Sequence, residues 1–276
     1  MGGGKYSIRD LFDLFVSCSL YLNLNSVLIL IISAVYLGGG YFAADTGIVT
    51  AIAVMTFIYV VDRLNVTEED KINNPGRSAL VRKYRTELFG LSVVAFSLFE
   101  LSLFVTVFSP DLSGAGALAL AHVPLAVLAL YDEIKTVPLP LDSLAVAFTW
   151  GYMLVFIYVF ISPLSVGILE GAGLFCGWFL IVFAGLEARN AKDIEGDREA
   201  GKVTLASRFG CDQTKRIEIA LKSVGVLVLV ALSGSPVVLA LLICHIGLLR
   251  LFGSLETDFR EEGSGEPLDS GRISGD

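Results

Sequence analysis

The sequence predicts an all-α fold, a polytopic membrane bundle of about eight transmembrane helices. Three observations carry that expectation. Of the 276 residues, 54% are hydrophobic and only 17% charged, where a soluble domain has roughly 45–50% and 25%. The mean hydropathy is +0.72. The apolar residues are also gathered into runs close to the roughly 20 residues that a helix needs to cross the hydrocarbon core. The same composition excludes a disordered, collagenous, coiled-coil or disulfide-stapled chain. A net charge of −8 and a pI near 4.9 argue against nucleic acid as a partner.

Taken in order, the runs cover residues 20–41, 47–61, 87–108, 115–130, 143–161, 165–186, 217–232 and 236–252. Gly38-Gly39-Gly40 ends the first. The second is short and is expected to start nearer Phe42 or to continue past Asp62. Ser109-Pro110-Asp111 closes the third, Ser162-Pro163 separates the fifth from the sixth, and Gly234-Ser235-Pro236 joins the last two. The first run is too long for a cleaved signal peptide and no small-residue cleavage site follows it. Tyr6 stands where myristoylation requires Ser or Thr. Cys18, Cys176, Cys211 and Cys244 have no metal-site spacing and read as buried small hydrophobes.

With eight spans the connections alternate between sides, and all 20 Lys and Arg residues then fall on one side. Cytoplasmic loops collect such residues, so both termini and the charged loops are expected in the cytoplasm of an integral membrane protein. The chain divides into an N-terminal segment (1–19), a membrane domain (20–253) and an acidic, Gly- and Ser-rich tail (254–276) that reads as disordered.

Two charged connections are long. One follows the second run, from Val61-Asp62-Arg63 through Glu69-Asp70-Lys71 to Pro75-Gly76-Arg77. The other follows the sixth, from Glu187 through Asn190-Ala191-Lys192-Asp193 and Asp197-Arg198 to Leu205. Their places, four spans apart, suggest two similar halves. If the second loop continues its helix, Asn190, Asp193 and Asp197 lie within about 60° of one another. Such oxygen ligands suit Mg²⁺, which binds through one or two carboxylates plus substrate phosphates. Two opposed faces of this kind would hold a diphosphate between metal ions, with Arg and Lys on the remaining oxygens. Ordinary solvated loops would account for the Arg and Lys but not for the spacing of the Asp residues.

At these residues the chain resembles the UbiA superfamily of intramembrane prenyltransferases. That family carries Asn-Asp-x-x-Asp-x-x-x-Asp after its second helix and Asp-x-x-x-Asp after its sixth. The second motif is intact here, as Asn190-Ala-Lys-Asp193-Ile-Glu-Gly-Asp197-Arg198, followed by Gly201, Thr204 and Leu205. Tyr131-x-x-x-Lys135 follows the fourth run, where the family has a Tyr and a basic residue on the diphosphate. The first motif is degenerate. Asp70-Lys-Ile-Asn73-Asn-Pro75-Gly-Arg77 matches its end, but counting back without gaps puts Asp62 at the leading Asn, Arg63 at the next Asp and Val66 at the middle Asp. A shifted register would use Asp62, Asn65 and Glu69, which share a helix face, whereas Thr67 and Asp70 resemble a helix start that would break that face. The family's N-terminal Arg-Pro pair and its ninth helix have no counterpart.

The resemblance implies a bundle around a central, lipid-accessible cavity. It also implies transfer of a polyprenyl group from its diphosphate to a lipophilic acceptor (a quinone-ring precursor, glycerolipid or carotenoid), with release of pyrophosphate. Asp62, Asp70, Asp193 and Asp197 are implied as catalytic Mg²⁺ ligands. Asn190, Arg77, Tyr131, Lys135 and Arg198 are implied as the diphosphate-binding set, with Lys192 a weaker candidate. The partners would be the diphosphate, the acceptor and membrane lipid, with no nucleic acid or protein partner. Two other readings stand beside this one: a divergent protein that binds isoprenoid lipids without turnover, and a small transporter, for which only Glu100 sits at mid-membrane. Glu100 is expected to make an interhelical hydrogen bond or to serve the acceptor as a base. His122, Glu170 and Glu187 are expected near span ends, solvated by the interface.

Overall fold

The computed structural model describes residues 12, 14–16, 20–39, 45–66, 75–107, 114–135, 137, 139–161, 165–191, 194 and 203–263. The main helices, in order, are α1 (Leu22–Tyr36), α2 (Asp45–Leu64), α3 (Pro75–Lys83), α4 (Arg85–Val107), α5 (Gly114–Ala121), α6 (Val123–Ala129) and α7 (Tyr131–Lys135). They continue with α8 (Leu141–Phe156), which runs on as a π turn (Ile157–Ile161), then α9 (Ile168–Asn190), α10 (Leu205–Phe209), α11 (Cys211–Ser233) and α12 (Pro236–Gly263). No strand occurs among the described residues, so the fold is the all-α membrane bundle that the composition predicts. Each apolar run of the sequence coincides with helix. Among the described residues four segments, Gly47–Leu64, Arg85–Thr106, Leu141–Ile161 and Ile168–Asn190, are long and apolar enough to cross a membrane, and Leu22–Tyr36 and Pro236–Leu251 are shorter apolar helices. α12 continues to Gly263, into the segment read as a disordered tail, because the residues from Leu255 to Glu262 are mostly good helix formers.

The fourth run is not one helix. It breaks at His122 into α5 and α6 and turns again at Leu130 into α7. Pro124 causes the first break, since it has no N–H to donate to the carbonyl of Leu120, four residues back. The Tyr152 hydroxyl on α8 donates to that carbonyl instead, at 2.8 Å. Gly234, with φ of +60°, ends α11 in the left-handed region and sets up the tight connection to Pro236.

α1 lies inside the bundle and buries residues on most of its sides, from Ser26 to Tyr36. Polar side chains tie it to its neighbours. The Asn23 amide donates to Thr56 Oγ1 of α2 (2.9 Å), Trp178 Nε1 of α9 to Ser33 Oγ (3.0 Å), and Tyr36 Oη to the Glu170 carbonyl of α9 (3.1 Å). Tyr158 of the π turn donates to the Leu30 carbonyl. α4 is the opposite case. It buries only a stripe (Leu88, Ser92, Ala95, Phe99, Ser102, Leu103) and exposes Phe89, Val93, Leu98, Leu101 and Phe104, the pattern of a helix packed on α2 with its other side towards lipid.

α9 and α11 make the most extensive helix pair, and small residues permit it. A Cβ added at Gly225 would lie 2.7 Å from the Gly177 carbonyl oxygen, backbone that cannot swing aside. Gly225→Val is therefore expected to lower the stability of the purified protein in detergent by about 1–3 kcal/mol, read as a fall in Tm. Tyr152→Phe is expected to cost about 1 kcal/mol, because it leaves the Leu120 carbonyl without a donor in lipid. In the Pro124→Ala background that cost should shrink, since an alanine at that position restores the helical donor.

Candidate active site

A cavity of about 370 Å³ opens between α2, α4, α6 and α7. Its walls are apolar: Phe57 and Val61 of α2, Phe96 of α4, and Leu125, Leu128 and Ala129 of α6. Phe57 and Phe96, both in its lining, meet with ring centroids 5.1 Å apart. Its mouth is polar, because α2 runs out into the first charged loop there and α7 begins there: Asp62 and Asn65 face Tyr131 and Asp132. The Asn65 amide donates to Asp132 Oδ2 at 3.3 Å, and Asp62 Oδ2 lies 3.2 Å from Arg63 Nη1. Lys135 Nζ sits over the Tyr131 ring, 4.4 Å from its centroid, a cation–π contact that carries positive charge to the same rim.

The structure thus brings together Asp62 and Tyr131, with Lys135 held through the Tyr131 ring. Asn190 occupies a second cluster, where the last turn of α9 meets the start of α8. Its amide donates to Ser143 Oγ (3.1 Å) and to Glu187 Oε1 (3.4 Å). Glu187 Oε2 accepts the backbone N–H of Leu205 at 2.8 Å. Glu187 is only 1% exposed, not solvated at an interface as its place near a span end suggested. The reason is that its carboxylate serves the backbone where the chain returns into α10, so one side chain holds both ends of the second charged loop. Arg189 is fixed alongside by the Tyr21 hydroxyl (2.7 Å). Arg77 lies half-buried on α3, which packs on α4 and α12, and is not among the residues lining the cavity. Asp70, Lys192, Asp193, Asp197 and Arg198 lie outside the described residues.

Asp132, Ser143 and the buried role of Glu187 were not foreseen from the sequence. The signal for Asp132 was its place beside Tyr131, and for Ser143 its place at a helix start. Glu100, expected at mid-membrane, makes an interhelical bond: its Oε1 lies 2.9 Å from His122 Nε2. His122 Nδ1 lies 2.7 Å from the Leu118 carbonyl. A carbonyl can only accept, so Nδ1 carries a hydrogen and the Nε2–Oε1 contact shares one further proton.

The mouth offers hard oxygen donors, the Asp62 and Asp132 carboxylates and the Asn65 side-chain oxygen. Two carboxylates with open positions for phosphate oxygen and water match what Mg²⁺ takes from a protein that also binds phosphate. Among the described residues no group of three or more His, Cys, Asp and Glu is placed to hold a metal ion.

Glu187→Ala is expected to destabilise the protein by about 2 kcal/mol, since it orphans a backbone donor that a charged group now serves. Hydrogen exchange at the Leu205 amide should rise with it, whereas the Gly234 amide, bonded within its own helix cap, should keep its protection.

The UbiA prenyltransferase family matches this chain over residues 26–263. No curated protein sequence matches it. A solved structure described as digeranylgeranylglyceryl phosphate synthase in membranes is similar in fold, with 18% sequence identity, coverage of 93% of this chain and 91% of that one, and a TM-score of 0.51. The chain belongs to the UbiA prenyltransferase family and is an integral membrane protein of that class.

Proposed function

We propose that this membrane prenyltransferase moves a polyprenyl group from its diphosphate to a lipophilic acceptor and releases pyrophosphate. The observation that carries the reading is the cavity, an apolar well with carboxylate, amide and phenol groups at its mouth. That arrangement fits one molecule with a charged head and a hydrocarbon tail. With the head at the mouth, Asp62 and Tyr131 face it, and Lys135 offsets its charge. Asp70, Asp193 and Asp197 are the further carboxylates of this reading, and Asn190, Arg77 and Arg198 the further diphosphate contacts. Mg²⁺, when bound, supplies neutralisation of the diphosphate and of the charge that grows on the departing oxygen. The bond between C1 and the diphosphate oxygen breaks with its electron pair on oxygen. The allylic cation left behind faces Val61, Phe57 and Leu125, apolar side chains that carry no nucleophile. The acceptor then bonds to C1 and loses a proton. In this reading the mouth opens on the cytoplasmic face, which the one-sided distribution of Lys and Arg supports.

The acceptor is a quinone-ring precursor, a glycerolipid or a carotenoid, and the similar solved synthase makes glycerolipids the first class to test. A divergent protein that binds isoprenoid lipids without turnover is the second reading. It is favoured by Val66, which stands where the family has an Asp and packs against aliphatic side chains.

The test is Mg²⁺-dependent pyrophosphate release by membranes given geranylgeranyl diphosphate and a pool of the three acceptor classes. Release by the wild type is expected to fall ~100-fold or more in Asp193→Ala and in Asp62→Asn, the scale of losing one group that stabilises developing charge. Diphosphate binding without release from any acceptor would favour the second reading.

A further inference from the structure

We propose that Asp132 supplies the carboxylate that the first charged loop lacks, holding the divalent cation of the diphosphate head together with Asp62. This rests on the prenyl-transfer reading above. Val66 packs with Leu64 against the cluster of Val60, Val81 and Leu88. Phe57, Val61, Asp62 and Asn65 form another side of the same segment and face the cavity. The side chain at 66 is therefore half-buried against aliphatic neighbours, a poor setting for an ionised carboxylate. Position 66 thus offers no oxygen ligand, and its side chain packs on aliphatic groups.

The opposite rim of the mouth supplies one. Asp132, in the first turn of α7, lines the opening with Asp62 and Asn65, and its Oδ2 accepts the Asn65 amide at 3.3 Å. Two carboxylates from two different helices thus flank one opening above an apolar well. Asn65 is the positioning residue, since its amide holds Asp132 Oδ2 towards α2 and leaves Oδ1 for a cation. The Arg63 guanidinium, 3.2 Å from Asp62 Oδ2, is the contact that a cation at Asp62 would displace. Position 132 is an unspecified residue of the Tyr-x-x-x-Lys pattern, so the assignment comes from its place at the mouth. Hard oxygen ligands on both rims, with open positions between them, suit a small divalent ion that bridges to phosphate.

The test uses the full chain in detergent, with Mn²⁺ as the probe ion, inorganic pyrophosphate present, and free Mn²⁺ read by electron paramagnetic resonance. Asp132→Asn and Asp62→Asn are each expected to weaken Mn²⁺ binding at least ~10-fold, and Asp132→Glu to stay within ~3-fold of wild type. Glu133→Gln, one residue along and not in the cavity lining, is expected to bind as wild type. Circular dichroism and gel filtration establish that each variant is folded. Wild-type affinity in Asp132→Asn with loss in Asp62→Asn would overturn the assignment and leave the prenyl-transfer reading standing. Equal loss in Glu133→Gln would also overturn it, as an effect of net charge. No Mn²⁺ binding by the wild type would overturn both this assignment and the metal-dependent reading beneath it.

Discussion

Lipid offers no hydrogen bonds, so a chain that crosses it can leave the regular helix only where another group serves the exposed backbone. That constraint governs the interruption at His122. Pro124 removes the donor for the Leu120 carbonyl, and the break is tolerable because Tyr152 on a different helix supplies one. The same logic holds where the second charged loop re-enters the bundle: the Leu205 N–H, an orphan at the start of α10, is taken by the Glu187 carboxylate. Both of these irregular segments are bonded to a neighbouring element, which turns a local departure into a fixed tertiary contact.

The cavity follows from the first of these departures. α5 and α6 are short helices of eight and seven residues, too short to fill the whole space beside α2 and α4 with one continuous face. Leu125, Leu128 and Ala129 line that space instead of closing it, and the turn at Leu130 lets Tyr131 and Asp132 continue around the same opening. α4 contributes Phe96 from the edge of its buried stripe, and α2 contributes the end of its exposed turn. The aromatic contact between Phe57 and Phe96 joins α2 to α4 within the lining of the same cavity.

Much of this was legible in the sequence. Each apolar run reappears as helix, because length and hydropathy suffice to locate such segments. The Gly-Ser-Pro turn at 234–236 is where its residue types place it. Asp62 and Tyr131, singled out by motif, line one cavity, and Lys135 lies over the Tyr131 ring. What was not legible depended on three-dimensional partners. Pro124 announces a break, but nothing in the local sequence says that Tyr152 stabilises it, 28 positions along the chain from Pro124. Glu187 reads as interfacial from its place at a span end, and only the returning backbone of Leu205 explains its burial. The two registers of the first loop were equally open on a helical wheel. The packing of Val66 against Val81 and Leu88 settles which side of that segment is apolar, and motif spacing carries no information about that packing.

The proposed chemistry needs two incompatible media within a short distance, a polar one for a diphosphate and a dry one for an allylic cation. A single helix supplies both here. Asp62 and Phe57 are five residues apart on α2, an axial separation of about 7.5 Å, and both face the same cavity. Moving inward from Asp62, that face passes Val61 and reaches Phe57, so polarity falls within little more than one helical turn. The transition arises from the position at which an apolar helix stops being apolar, which is also what determines where the membrane ends along it. A molecule with a charged head and an isoprenoid tail meets the same change of medium over a comparable length. The fit between ligand and site is then set by the bilayer boundary as much as by any one side chain, and a ligand carboxylate can be supplied from either rim without altering the well below it.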